Sequence, residues 1–71
     1  MMEIVIKERL KALRKERGET QVEVASAIDI VEQYYQKLEY GTNLPGLEII
    51  WKLADHFGVS VDYLIGRSEE R

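Results

Sequence analysis

The chain lacks cysteine entirely and has one proline and one histidine in 71 residues. Without cysteine there is no disulfide staple and no thiolate metal site. That absence suits the cytoplasm, where the protein is expected to work. No apolar run exceeds three residues, as in Ile4-Val5-Ile6 and Ile49-Ile50-Trp51. A membrane-spanning helix needs about 20, so none is expected, and no basic-then-apolar leader opens the chain. No Gly-rich phosphate loop is present. His56 stands alone beside Asp55. No Ser-His-Asp or Cys-His set can be assembled around it, and it reads as a surface residue. Glu69-Glu70 reads as a solvated tail rather than a catalytic pair. Neither catalysis, a metal nor a cofactor is expected. No strand pattern longer than four residues and no internal repeat is found either.

What is present is a small helical chain with unevenly placed charge. Seventy-one residues make one domain at most, and a domain this small buries only about 60% of its unfolded surface. The net charge is −3. Residues 1–17 carry six cations (Lys7, Arg9, Lys11, Arg14, Lys15, Arg17) against three anions. Residues 18–45 carry one cation, Lys37, against five anions (Glu19, Glu23, Asp29, Glu32, Glu39). Any attraction to phosphate would therefore lean on the first helix.

Periodicity divides the chain into five helices, about 3–17, 21–28, 32–40, 47–57 and 61–65. In the first, Ile6, Leu10 and Leu13 recur on one face of a 3.6-residue period, and Gly18 follows as a terminator. Thr20-x-x-Glu23 has the capping-box pattern, and Val24, Ala25 and Ile28 form the inward face of the second helix. Asp29-Ile30 makes a tight turn that needs a residue near the left-handed region, which Asp tolerates. Ile30 should plug into the core. Val31 falls at the N-cap of the third helix, where a side-chain oxygen is preferred. Val31, Tyr35 and Leu38 are expected to face in. Glu32, Gln33, Gln36, Lys37 and Tyr40 should face out, with Tyr34 at the border. Pro45-Gly46 punctuates the next loop. Leu47, Ile50, Leu53, Ala54 and Phe57 stripe the fourth helix, and Ser60 caps the fifth. A single domain, 1–66, is followed by a charged tail, 67–71, expected to fray.

Two short helices joined by a tight turn, the second presenting Glu, Gln, Gln and Lys outward, describe a helix-turn-helix. The major groove, about 12 Å wide, admits one α-helix. There Gln can pair with adenine N6 and N7, Lys can reach guanine O6 and N7, and Glu can accept from cytosine N4. A polar helix face can equally be solvated and read nothing.

The sequence resembles the Cro/phage-repressor (Xre-like) helix-turn-helix family. The likeness rests on Thr20-Gln21-x-x-Val24-Ala25, Ile28-x-Ile30, Tyr35-x-x-Leu38-Glu39-x-Gly41, Pro45, and Leu53-Ala54-x-x-Phe57-Gly58-Val59-Ser60-x-Asp62-Tyr63-Leu64-x-Gly66. It runs from about residue 4 to residue 66. It implies an all-α, five-helix, lambda-repressor-like DNA-binding domain that regulates transcription, usually as a homodimer on double-stranded DNA. It further implies base reading by Glu32, Gln33, Tyr34, Gln36 and Lys37. Phosphate contacts would come from Thr20, Gln21, Thr42 and Asn43. Arg14 and Glu39 match a structural ion pair. Leftover apolar side chains at Ile49, Trp51, Tyr63 and Ile65 are candidates for a dimer surface. The chain departs from the family pattern at Asp29, where Gly is common, and at Val31, where Ser or Thr is common. With Glu32 and an acidic helix-turn-helix segment, non-specific DNA affinity should be modest. The alternative is a protein-interaction module on the same fold, antitoxin- or anti-repressor-like.

Overall fold

The computed structural model describes residues 6–71 and contains five helices among them. They are α1 (Ile6–Glu16), α2 (Gln21–Ala27), α3 (Glu32–Tyr40), α4 (Leu47–Phe57) and α5 (Val61–Ile65). The expected start of the first helix, at Glu3, lies outside the described residues. No strand occurs among the described residues.

All five helices stop in the same way. The amide just past each end reaches back five residues, as in Glu19 N to Arg14 O, Thr42 N to Lys37 O and Val59 N to Ala54 O. This closure requires a residue at positive φ just after the helix. Glycine fills that place after four of the helices. After α2 the place is held by Asp29 at φ 62°, which lets Ile30 N donate to Ala25 O at 3.0 Å. Asp can adopt this conformation at some cost, because its short side chain tolerates what a bulkier one would not. The turn of the helix-turn-helix is thus built without glycine.

Helix starts differ more. Thr20 forms the complete capping box: its hydroxyl accepts from Glu23 N at 3.1 Å, and the Glu23 carboxylate accepts from Thr20 N at 2.8 Å. Ser60 caps α5 by accepting from Tyr63 N at 3.0 Å. Val31 gives α3 no side-chain cap.

The core joins one face of every helix. Leu10, Val24, Tyr35, Leu38, Leu53 and Leu64 are fully enclosed, with Ile6, Leu13, Ala25, Ile28, Ala54 and Phe57 around them. Ile30 packs against this cluster from the turn. α1 lies against α3 and α5, α2 against α3, and α4 against α5. Tyr35 and Leu38 therefore clamp α3 from beneath. Truncating a buried leucine such as Leu38 to alanine costs about 2–5 kcal/mol.

Two apolar residues expected inside are outside. Val31 is 66% exposed. Its backbone is extended (φ −75°, ψ 150°), so its side chain precedes the helical stripe it was assigned to. Leu47 is 72% exposed. α4 buries its C-terminal half through Leu53, Ala54 and Phe57, and its first turn carries Leu47 clear of the core.

The tail, 67–71, makes several contacts with the rest of the domain. The Arg71 guanidinium holds both Glu16 carboxylate oxygens, at 2.6 and 2.7 Å. Arg9 donates to the carbonyls of Tyr63 and Ser68 and pairs with Glu69 at 3.1 Å. Arg9 and Arg71 both lie over the Tyr63 ring, 4.1 and 5.4 Å from its centre.

Candidate nucleic-acid interface

The polar side of α3 is divided. Gln33 and Lys37, one turn apart, are exposed. Tyr40, a further turn along the same stripe, is 76% exposed. Glu32 and Gln36 are half-buried and tied together, Gln36 Nε2 donating to Glu32 Oε2 at 3.3 Å. Tyr34 packs partly against the core. Of the five residues proposed from sequence to read bases, then, Gln33 and Lys37 stand clear of the body. Glu32 and Gln36 occupy one shoulder and Tyr34 the border. Tyr40, outside that set, lies on the same line at a spacing of seven from Gln33.

The four phosphate candidates lie at the two ends of the helix-turn-helix. Thr20 is exposed at the start of α2. Gln21 Nε2 donates to Glu39 Oε1 at 3.2 Å. An amide nitrogen carries two N–H groups, so one still points elsewhere. Past α3, the Thr42 hydroxyl donates to Lys37 O at 3.3 Å, and Asn43 is exposed beside it.

What fixes this frame is an ion pair between α1 and the end of α3. Arg14 Nε donates to Glu39 Oε2 at 2.7 Å and Arg14 Nη2 to Glu39 Oε1 at 3.1 Å. A third donor, Arg14 Nη1, reaches Glu19 O at 3.0 Å. The side chains are 14% and 4% exposed. Two parallel bonds fix direction as well as distance. Burial alone would raise the Glu39 pKa, but hydrogen bonds from Arg14 and Gln21 outweigh it and hold the carboxyl below its ordinary 4.5. The same contact raises Arg14. The Tyr35 hydroxyl is buried beside this pair without a hydrogen-bond partner. Burial pushes its phenol well above the usual range, and the Glu39 carboxylate adds to that.

His56 is not a plain surface residue. Its side chain is 15% exposed, and Nε2 sits 3.0 Å from both Glu19 carboxylate oxygens. Its ring meets Phe57 edge-on at 4.9 Å. The contact ties α4 to the loop that launches α2. The 37-residue separation left no local signal for it in the sequence. Among the described residues, no cluster of His, Cys, Asp and Glu is arranged to hold a metal ion.

The four candidates for a dimer surface separate. Ile49, Tyr63 and Ile65 pack partly against the core, and Tyr63 is covered by two arginines. Trp51 is 62% exposed, and Leu44 and Leu47 are exposed as well. Leu47 and Trp51 share a shallow apolar surface whose edges are Glu48 and Lys52.

Comparison with known proteins places this arrangement. A family described as helix-turn-helix matches residues 10–64. The cryptic phage CTXphi transcriptional repressor RstR of Vibrio cholerae is 44% identical over 62 residues, covering 87% of this chain and 55% of that protein. The SPbeta prophage-derived uncharacterized HTH-type transcriptional regulator YonR of Bacillus subtilis is 40% identical over 58 residues, covering 82% and 54%. The chain thus spans about half the length of these relatives. Among solved structures, a transcriptional regulator from Listeria innocua superposes with TM-score 0.88 at 26% identity, covering 99% of this chain and 65% of that one. The N-terminal DNA binding domain of SinR from Bacillus subtilis gives TM-score 0.78 at 28% identity, covering 83% and 87%. The fold, the Thr-Gln start of α2 and the clamped outward face of α3 have the same explanation: the chain belongs to the helix-turn-helix family, in its Cro/phage-repressor-like branch.

Proposed function

We propose that this chain binds double-stranded DNA sequence-specifically, with α3 in the major groove, and regulates transcription as a homodimer in the cytoplasm. It works without catalysis or a cofactor. The observation that carries the reading is the placement of Gln33 and Lys37. Both project from a helix whose opposite side is locked into the core by Tyr35 and Leu38. A helix held this way can enter a groove without moving its own frame. The names of the relatives, a phage repressor and regulators of transcription, agree with it.

In this reading Gln33 pairs with an adenine edge and Lys37 reaches guanine or phosphate. Thr20, Gln21, Thr42 and Asn43 flank the groove and position the helix on the backbone. Two copies related by a two-fold axis would set their α3 helices about 34 Å apart, one turn of DNA. Trp51 and Leu47 supply exposed apolar area for that contact. Glu48 and Lys52, paired with each other at 3.5 Å within one copy, edge that area.

Selecting bound duplexes from a random pool tests the reading. A defined motif should emerge. Gln33→Ala should relax discrimination at one or two base pairs of it, by about 1–3 kcal/mol. An equal loss on every sequence would remove Gln33 from base reading. A pool that never enriches would remove the function.

A further inference from the structure

The helix-turn-helix segment is a poor match for a polyanion. Residues 18–45 carry one cation and five anions. Neutralising phosphates supplies most of the non-specific affinity of DNA-binding proteins. The required positive charge must therefore come from another element, and the structure shows where it lies.

A cleft of about 540 Å³ opens between α1 and the helix-turn-helix. α1 contributes Lys11, Arg14 and Lys15 to its wall. The opposite side holds Thr20 and Gln21 from the start of α2, and Glu32 and Tyr40 from the two ends of α3. Lys11 and Lys15 thus share a cleft with the flank of α3 that carries Glu32, Glu39 and Tyr40. The cations of α1 are not equivalent. Arg14 is already neutralised by Glu39. Arg9 pairs with Glu69 and Arg17 with Glu19. Lys11 and Lys15, one turn apart, are exposed and form no ion pair with any described residue. Their ammonium groups are on long, flexible stems that can follow a phosphate row.

We infer that α1 is the phosphate-gripping element of this domain, with Lys11 and Lys15 each neutralising one backbone phosphate beside the groove that α3 enters. This rests on the DNA-binding reading above and extends it to a helix outside the recognition unit. The two lysines carry no sequence information and act alike on every duplex. They offset the acidic reading segment and let its Gln and Lys side chains approach the bases.

The test uses the full chain with two duplexes, the selected motif and a scrambled version of it, titrated across potassium chloride concentrations. Lys11→Gln/Lys15→Gln should weaken binding to both duplexes by a similar factor. The slope of log affinity against log salt should become shallower by about 1.8, since each lost phosphate contact removes about 0.9. Between 50 and 200 mM salt the double variant should then lose about 12-fold less affinity than the unaltered chain. Lys11→Arg/Lys15→Arg, which keeps the charge, should retain the original slope. Thermal melting of all three proteins separates loss of contact from loss of fold. An unchanged slope in a folded Lys11→Gln/Lys15→Gln variant would overturn the inference and leave the DNA reading intact. Loss confined to the motif duplex would also overturn it. Failure of the unaltered chain to bind either duplex would remove both.

Discussion

The Arg14–Glu39 contact concentrates more of the fold's directional bonding than any hydrophobic pair can. Glu39 accepts from Arg14 twice and from Gln21 once, and Arg14 also holds the Glu19 carbonyl. Removing the guanidinium would strand a carboxylate that is 4% exposed. Arg14→Ala should therefore destabilise the domain by about 3 kcal/mol in denaturant titration. The pH dependence follows from the direction of the Glu39 shift. Its folded pKa lies below the ordinary value of 4.5. Its contribution is thus complete above that value and is lost as pH falls through the folded pKa. Glu39→Gln should flatten this part of the acid limb of stability against pH. A limb of unchanged depth would mean that other carboxylates set it. The pair could be anticipated from the sequence because it rides on family-matched positions. The His56–Glu19 contact could not, because a lone histidine and a loop glutamate carry no spacing signal.

At the scale of the element, α3 departs furthest from what its local sequence favours. Its N-cap is a valine that provides no hydrogen bond, and the preceding turn places Asp29 at positive φ. The helix is nine residues long and would be marginal alone. Packing of Tyr35 and Leu38 holds it, rather than its own ends. Val31→Ser supplies the missing cap oxygen and gives up a side chain that is already largely exposed. It should raise stability by about 1 kcal/mol, read as a higher midpoint in urea at unchanged slope. Helix boundaries were legible to within one or two residues wherever glycine or a capping oxygen marked them. The inward assignments of Val31 and Leu47 failed for one reason. Periodicity places a residue on a face, but at a first turn or cap there need not be a neighbouring element to cover that face.

At the scale of the molecule, the cationic wall of the cleft and the exposed apolar area belong to different helices, α1 and α4. Lys11 and Lys15 of α1 line the cleft beside α3, while Leu44, Leu47 and Trp51 lie around the start of α4. The tail's contacts with α1 could not be read from its composition, which is charged and has little to bury. They depend on Arg9 and Glu16, more than fifty residues away in the chain. The proposed homodimer has a direct check. Trp51→Ser should lower the sedimentation-derived molecular mass toward that of a monomer at concentrations where the unaltered chain is dimeric. It should also weaken binding to a duplex with two half-sites more than to one with a single half-site. Equal behaviour of the two proteins in both assays would move the contact away from α4.

The measurement closest to the central claim is methylation interference on the selected duplex. Guanine N7 faces the major groove and adenine N3 the minor groove. If α3 enters the major groove, methylation at N7 of guanines within the motif should block binding, and Lys37→Ala should weaken that dependence at a defined guanine. Interference confined to adenine N3, or none at any purine of the motif, would contradict the account.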